Sequence, residues 1–274
     1  MAGLIQHKKE AFWFYRFVSI WYDSFINPFF WDEAMREQAL ELAELNSGDL
    51  VTLDAGAGTG FTTTGIVAKI QPQKITMLDQ SPHQLGFAKQ KEVLNDVKKI
   101  EGDVEDLPFA TDSFDRYISA GSIEYWPEPQ RAICEAYRVT KPGVIALIIS
   151  LLQRKNPLVR WLSDTWMLFP PEADYLRWYE AAGFTEIKTV YIQPSWYDNR
   201  EGNEYAIAIA GVKPCAGESP LILPPKQEDK LQPMTIGRTL TFIYRFLVGS
   251  TAGAFFVPIA IIKVFQHNLK RLFA

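Results

Sequence analysis

The sequence predicts an α/β fold, a mostly parallel sheet with helices on both faces, and three observations carry that prediction. From Leu50 onward, short apolar runs alternate with stretches of helical length. The runs are apolar at consecutive positions, as in strands buried on both faces. One of them ends in an acid and a glycine-rich turn, LDAGAGTGFTT at 53–63, with a helix expected to follow.

In chain order, the clearest strands are LVTLD (50–54), KITMLD (74–79), FDRYISA (114–120) and GVIALIIS (143–150), with a shorter one near Val97–Ile100. Between them FTTTGIVAKI (61–70), PHQLGFAKQKEVL (82–94) and PEPQRAICEAYRV (127–139) have helical length and spacing. A further helix, EADYLRWYEAAGF, stops at Gly183, and EIKTVYI (186–192) and EYAIAIAGV (204–212) complete the sheet. Strands and helices in alternation are the signature of a layered α/β domain.

The ends differ from this middle. Residues 1–46 read as a helical, aromatic lid, with eleven Phe, Trp or Tyr among the twenty positions from Phe12 to Trp31. The sheet domain spans 47–212. Residues 213–237 hold five prolines between Pro214 and Pro233, which excludes a continuous helix or central strand and reads as a linker. Residues 238–274 contain a stretch of 17 without a charge, Phe246 to Ile262, flanked by Arg238, Arg245, Lys263, Lys270 and Arg271. As a helix it rises about 25 Å against a hydrocarbon core of roughly 30 Å, so it is expected to anchor the protein by crossing a bilayer or lying in it.

Composition narrows the function. A net charge of −4 without a long Lys/Arg run leaves no electrostatic footprint for nucleic acid. Cys134 and Cys215 lack the spacing of a zinc site or a disulfide framework and are expected to be reduced. Asp103, Glu105 and Asp106 read as a solvated acidic turn, and no metal is expected. The opening MAGLIQHKKEAFWF has the character of neither a secretion signal nor a transit peptide.

The loop after the first strand carries the chemistry. Gly56, Gly58 and Gly60 permit a tight turn and close approach of a ligand to the backbone, and the start of the next helix favours an anionic group. A dinucleotide fingerprint needs G-x-G-x-x-G, but its third glycine would fall at Phe61; the spacing is G-x-G-x-G. With Asp54 just before it, Asp79 at the end of the second strand and Asp103 after the third, this pattern resembles motif I and its partners in the class I S-adenosylmethionine-dependent methyltransferases, a Rossmann-like fold whose last strand is antiparallel.

The segments LIQHKKEAFWFYRF, GTGFTTTGIV, LDQSPHQL, GDVEDLPF, SAGSIEYWPEPQRAICEAYRV and DTWMLFP resemble a narrower group. They are similar to the plastid methyltransferases of 2-methyl-6-phytyl-1,4-benzoquinol and its solanesyl analogue. That resemblance implies C-methylation of a prenylated benzoquinol, on the routes to tocopherols and plastoquinone, at the chloroplast inner envelope with an anchor near the C-terminus. The family's loop is closer to DVGGGTG than to DAGAGTG, and alanine keeps those positions small. S-adenosylmethionine would contact Asp54, the three glycines, Asp79, Gln80, Asp103, Val104 and Ala120. Tyr22 resembles a tyrosine placed over the methionine end of the cofactor in related quinone methyltransferases, or is a core aromatic.

Methyl transfer to carbon needs a ring carbon aligned with the sulfonium methyl and one base for a phenol that titrates near about 10. Glu124, just past the fourth strand, is the candidate base or quinol-positioning group; it could instead cap a helix or bind the cofactor's amino group. His83 is the rival, or a capping residue near the ribose. The Phe12–Trp31 cluster with Trp126, Trp166, Phe169, Trp196 and Tyr197 suits an apolar substrate chamber. Alternative readings are a methyltransferase of a sterol, phospholipid or other quinone, a non-catalytic membrane scaffold, and an NAD-dependent oxidoreductase, the last disfavoured by the glycine spacing.

Overall fold

The computed structural model describes residues 30–164, 169–197 and 204–226, with isolated positions between 235 and 269. Its centre is a seven-stranded sheet of β1 (Thr52–Ala55), β2 (Ile75–Asp79), β3 (Lys98–Glu101), β4 (Phe114–Ala120), β5 (Thr140–Leu151), β6 (Thr185–Ile192) and β7 (Ala206–Val212). The spatial order is β3-β2-β1-β4-β5-β7-β6. Neighbours from β3 to β5 are parallel, while β7, the last strand, runs antiparallel between β5 and β6. The strand order reverses beside β1, and in such sheets ligands bind outside the carboxyl ends of the strands at that switch point.

Two helical layers explain why the strands are continuously apolar. Ala146 and Ile148 of β5 share a core with Ile133 and Tyr137 of α4 (Pro129–Val139) and with Tyr175 and Tyr179 of α6 (Glu172–Ala182). Ile145, Leu147 and Ile149 turn the other way. They meet Met35 and Leu40 of α1 (Glu33–Leu40), Ile66 of α2 (Phe61–Val67) and Leu85 of α3 (Pro82–Ala88). Alternate side chains thus enter opposite layers, each fully buried Ile or Leu contributing about 1.5–3 kcal/mol.

Only the end of the expected lid lies within the described residues. Asp32 caps α1 by accepting from the Met35 N–H at 2.8 Å. Arg36 then ties α1 to α2, donating from Nη1 to Phe61 O at 3.1 Å and to Thr64 Oγ1 at 3.0 Å. The helix that precedes β1 is therefore held beside the helix that follows the glycine loop.

Several boundaries differ from the sequence expectation. The helix expected over 82–94 ends at Ala88, and Glu92–Leu94 forms a 3-10 turn that buries Leu94. β5 begins at Thr140 rather than Gly143, paired with Phe114 ahead of a register shift. A further helix, α5 (Pro157–Asp164), opens where Asn156 Oδ1 accepts from the N–H groups of Leu158 and Val159 at 3.0 and 3.1 Å.

Residues 213–226, expected as linker, are docked on the domain. Lys213 Nζ is fully buried, donating to Asp112 Oδ1 at 2.5 Å and to the carbonyls of Gly217 and Arg138 at 2.6 and 3.2 Å. Ser219 Oγ donates to Ala182 O at 2.9 Å, and Leu221 and Leu223 pack against the core. Proline rules out helix and strand there but leaves the chain free to lie flat on a surface. No helix among the described residues is long and apolar enough to cross a membrane, and most of 246–262 lies outside them.

Candidate active site

A cleft opens at the carboxyl ends of β1, β2 and β4. Gly56 has φ 71° and Gly60 φ 84°, conformations that side chains rarely adopt. A Cβ on Gly56 would sit 2.5 Å from Ser122 Cβ, and one on Gly60 would sit 2.5 Å from Leu94 Cδ1. The loop is therefore clamped between the turn after β4 and the 3-10 turn before β3. Around Gly58 the only atom of the described residues within contact range of an added Cβ is Gln84 Oε1, at 4.0 Å.

The N–H groups of the glycine loop itself are largely engaged within the fold. The N–H groups of Gly56 and Ala57 both donate to Leu78 O, at 2.8 and 3.0 Å, and that of Gly60 donates to Ala57 O at 2.9 Å. Gly58 N–H donates to Asp79 Oδ2 at 2.8 Å. Four donors are thus consumed inside the fold, so the loop offers close approach more than an oxyanion cradle.

Acids supply the polarity of the cleft. Asp79 is half-buried at the end of β2, and its Oδ1 accepts from Ser81 N–H at 2.8 Å. Burial raises its pKa, opposed by the N–H groups of Ser81 and Gly58. Asp103, Glu105 and Glu124 complete a lining that holds four carboxyl groups and, among the described residues, no Lys or Arg. Lys226 of the docked segment pairs with Asp103 and lies 3.7 Å from Glu105 Oε2.

Glu124 lies in a 3-10 turn, Ile123–Tyr125, directly after β4. It is buried, with Oε1 accepting from Ser150 Oγ at 2.8 Å and from Leu151 N–H at 3.2 Å. Oε2 has no hydrogen-bond partner among the described residues. Burial raises its pKa, opposed by its own and the Leu151 N–H and by the Ser150 hydroxyl.

Gly56, Gly58, Asp79, Gln80, Asp103, Val104, Ala120 and Glu124 all line this cleft. Asp54 and Gly60 do not: Asp54 is fully buried beneath the loop, where Thr63 Oγ1 donates to its Oδ2 at 2.6 Å, and Gly60 starts α2. His83 is exposed, edge-on to Phe87 at 4.9 Å, and is not among the lining residues. Proline at the first position of α3 fixes the helix so that Gln84, not His83, faces inward. Tyr22 and Trp166 lie outside the described residues.

Of the aromatic set, Phe30, Trp31 and Trp126 reach the cleft. Trp196 stands behind them, edge-on to Phe30 at 6.2 Å, and Tyr205 OH donates to Phe30 O at 3.0 Å. Phe169 is buried elsewhere in the described core. Sequence reasoning missed Gln84, which is buried with Oε1 unpartnered among the described residues, and Ser122, Ser150 and Tyr175. A Gln one turn into the helix after Asp79 is a local signal for the first; the others required the strand neighbours.

Comparison with known proteins places the chain. The family described as "Methyltransferase domain" matches residues 53–148. The 2-methyl-6-phytyl-1,4-hydroquinone methyltransferase of Arabidopsis thaliana, described as chloroplastic, is 53% identical over 259 residues, 94% of this chain and 76% of that protein. Its counterpart from Spinacia oleracea is 51% identical over the same 94%, and 74% of its own length. The chain belongs to this methyltransferase family. A ubiquinone/menaquinone biosynthesis C-methyltransferase, UbiE of Brucella abortus strain S19, is 30% identical over 50% of the chain and 51% of its own length.

Solved structures share the fold. The cyclase SpnF superposes with a TM-score of 0.61 at 19% identity, covering 78% of this chain and 98% of its own. A geranyl diphosphate C-methyltransferase from Streptomyces coelicolor A3(2), complexed with S-adenosyl-L-homocysteine, gives 0.55 at 15% identity over 66% of this chain and 77% of its own.

The residues present fit the family's methyl donor, S-adenosylmethionine. That molecule offers ribose hydroxyls, amino groups and a sulfonium cation, which seek acceptors or negative charge, and a single carboxylate that seeks donors. The cleft supplies carboxylates and the buried Gln84 Oε1, and its glycine N–H groups are already engaged. A pyrophosphate would meet the reverse of what it needs. Among the described residues no group of three or more His, Cys, Asp or Glu side chains is placed to hold a metal.

Proposed function

We propose that this protein C-methylates the ring of 2-methyl-6-phytyl-1,4-hydroquinone or its solanesyl analogue, with S-adenosylmethionine as donor. The observation that carries the reading is Glu124, which lines the same cleft as Asp79 and the glycine loop and whose buried Oε2 has no hydrogen-bond partner among the described residues. The names of relatives that match 94% of the chain support the substrate class.

In this reading Asp79 and Gln80 hold the ribose, Asp103 and Val104 border the adenine, and Gly56, Gly58 and Ala120 face the methionine portion. Asp54 and Gly60 act beneath them, shaping the loop, and Tyr22 closes the site from the lid. When bound, the donor supplies an electrophilic sulfonium methyl. Glu124 accepts the phenolic proton through Oε2 while the ring carbon ortho to that hydroxyl forms its bond to the methyl carbon and the S–C bond breaks. The methylated carbon then releases its proton to solvent, restoring the aromatic ring, and Glu124 returns the phenolic proton to the resulting phenolate. Glu124 takes this role in preference to His83, whose ring stands outside the cleft. Phe30, Trp31 and Trp126 would exclude water and hold the quinol head.

The reading extends to the ends of the chain. Residues 1–46 form the lid, 47–212 the donor-binding domain, 213–237 a connecting segment and 238–274 a membrane anchor that brings the cleft to a lipid-dissolved substrate. The location proposed is the plastid inner envelope, consistent with the chloroplastic relatives. Incubation with radiolabelled donor in detergent, with the phytyl and solanesyl quinols compared, is the direct test. Labelled methylquinol is expected from at least one; cofactor binding with transfer to neither would leave only a binding protein.

A further inference from the structure

Glu124 presents its two carboxylate oxygens to different surroundings, and the arrangement is directional. Oε1 receives the Ser150 hydroxyl at 2.8 Å and the Leu151 N–H at 3.2 Å. Ser150 Oγ in turn receives the Tyr175 hydroxyl at 2.6 Å. Ser150 and Tyr175 are fully buried, so neither hydroxyl has solvent as an alternative partner. Leu151 O is the longer alternative for both hydroxyls, at 3.4 Å from Ser150 Oγ and 3.3 Å from the Tyr175 oxygen, so with Tyr175 donating to Ser150 the single serine proton goes to the nearer carboxylate. The chain of donors therefore ends on an oxygen that accepts only, while Oε2 of the same cleft-lining residue is buried without a partner among the described residues.

We infer that Ser150 and Tyr175 are positioning residues that hold Glu124 with Oε1 turned into the protein and Oε2 free to receive the substrate proton. This rests on the reading of Glu124 as the base. Two functions follow from the one geometry. Donors on Oε1 favour the ionised carboxyl against the burial that disfavours it, and they prevent rotation of the carboxylate away from the cleft. Tyr175 comes from α6, Ser150 and Leu151 from β5 and Glu124 from the turn after β4, so three elements meet to set one side chain. The titratable group packed against the pair is Tyr175 itself, with Asp174 acting on Tyr175 from the same helix.

The test is the pH profile of kcat for 2-methyl-6-phytylhydroquinone, with donor affinity measured separately by calorimetry. Ser150→Ala removes one donor from Oε1, and the acid limb is expected to move up by about one pH unit. Tyr175→Phe should move it in the same direction by a smaller amount, and Ser150→Thr, which keeps a hydroxyl, should restore it. Donor affinity should stay within about twofold throughout. If folded Ser150→Ala and Tyr175→Phe enzymes both show the unaltered profile, the positioning role is wrong. A Glu124→Gln enzyme that keeps the acid limb and full turnover would instead remove Glu124 from the mechanism, a separate failure with a separate signature.

Discussion

The backbone N–H of Gly58 donates to Asp79 Oδ2 at 2.8 Å, joining the glycine loop after β1 to the acid at the end of β2. One carboxylate thus shapes the loop and borders the cleft. Asp79→Ala should lose both roles, weakening S-adenosylmethionine binding by about 10- to 100-fold in calorimetry. Quinol KM should change little. An affinity within twofold of the parent would show that Asp79 does not touch the donor.

Gln84 makes a cleaner test of the same subsite, because its amide supports nothing else in the described structure. Its Oε1 is buried and unpartnered beside Gly58. Gln84→Ala is expected to raise the donor's Kd by about fivefold to tenfold with the melting temperature unchanged or slightly higher, since an unpaired buried acceptor is removed. Unaltered affinity would exclude a contact.

Asp54 should make stability depend on pH. Burial raises its carboxyl from 3.8 to about 7, opposed by the Thr63 hydrogen bond. The folded state then binds the proton more tightly than the unfolded chain, so stability is fullest below pH 4 and declines as pH rises through 7. The decline is about 4 kcal/mol from this group alone. Subtracting denaturation curves of the parent from those of Asp54→Asn, from pH 4 to pH 8, should reveal that slope; a flat difference would mean Asp54 ionises normally.

Gly56 and Ser122 should behave as a coupled pair. Alanine at Gly56 meets both φ 71° and a Cβ 2.5 Å away, so Gly56→Ala is expected to destabilise by about 2–4 kcal/mol in urea. Adding Ser122→Gly should recover part of that loss, leaving the cost of the backbone conformation. Strict additivity in the double-mutant cycle would refute the clash.

How much of this was legible beforehand varies with the range of the interaction. Strand ends and their acids are local signals: apolar runs closing on Asp54 and Asp79, with Glu124 just past the fourth run. Helix 82–94 was overextended because nothing within it announces that Leu94 must turn inward against Gly60. The proline-rich segment read as a linker because composition reports what a backbone cannot form, whereas the buried Lys213–Asp112 pair depends on residues about a hundred positions apart.

His83 and Gln84 mark the boundary. Adjacent in sequence and similar in polarity, they differ because the start of α3 at Pro82 turns one outward and the other onto the loop. By itself the sequence determined the layered fold, the order of its parts and the acids at the strand ends, since these follow from periodicity and neighbouring residues. Only the tertiary structure decided which polar atoms remain free: strand order sets β5 beside β4, and that adjacency engages Glu124 Oε1 and leaves Oε2 for chemistry.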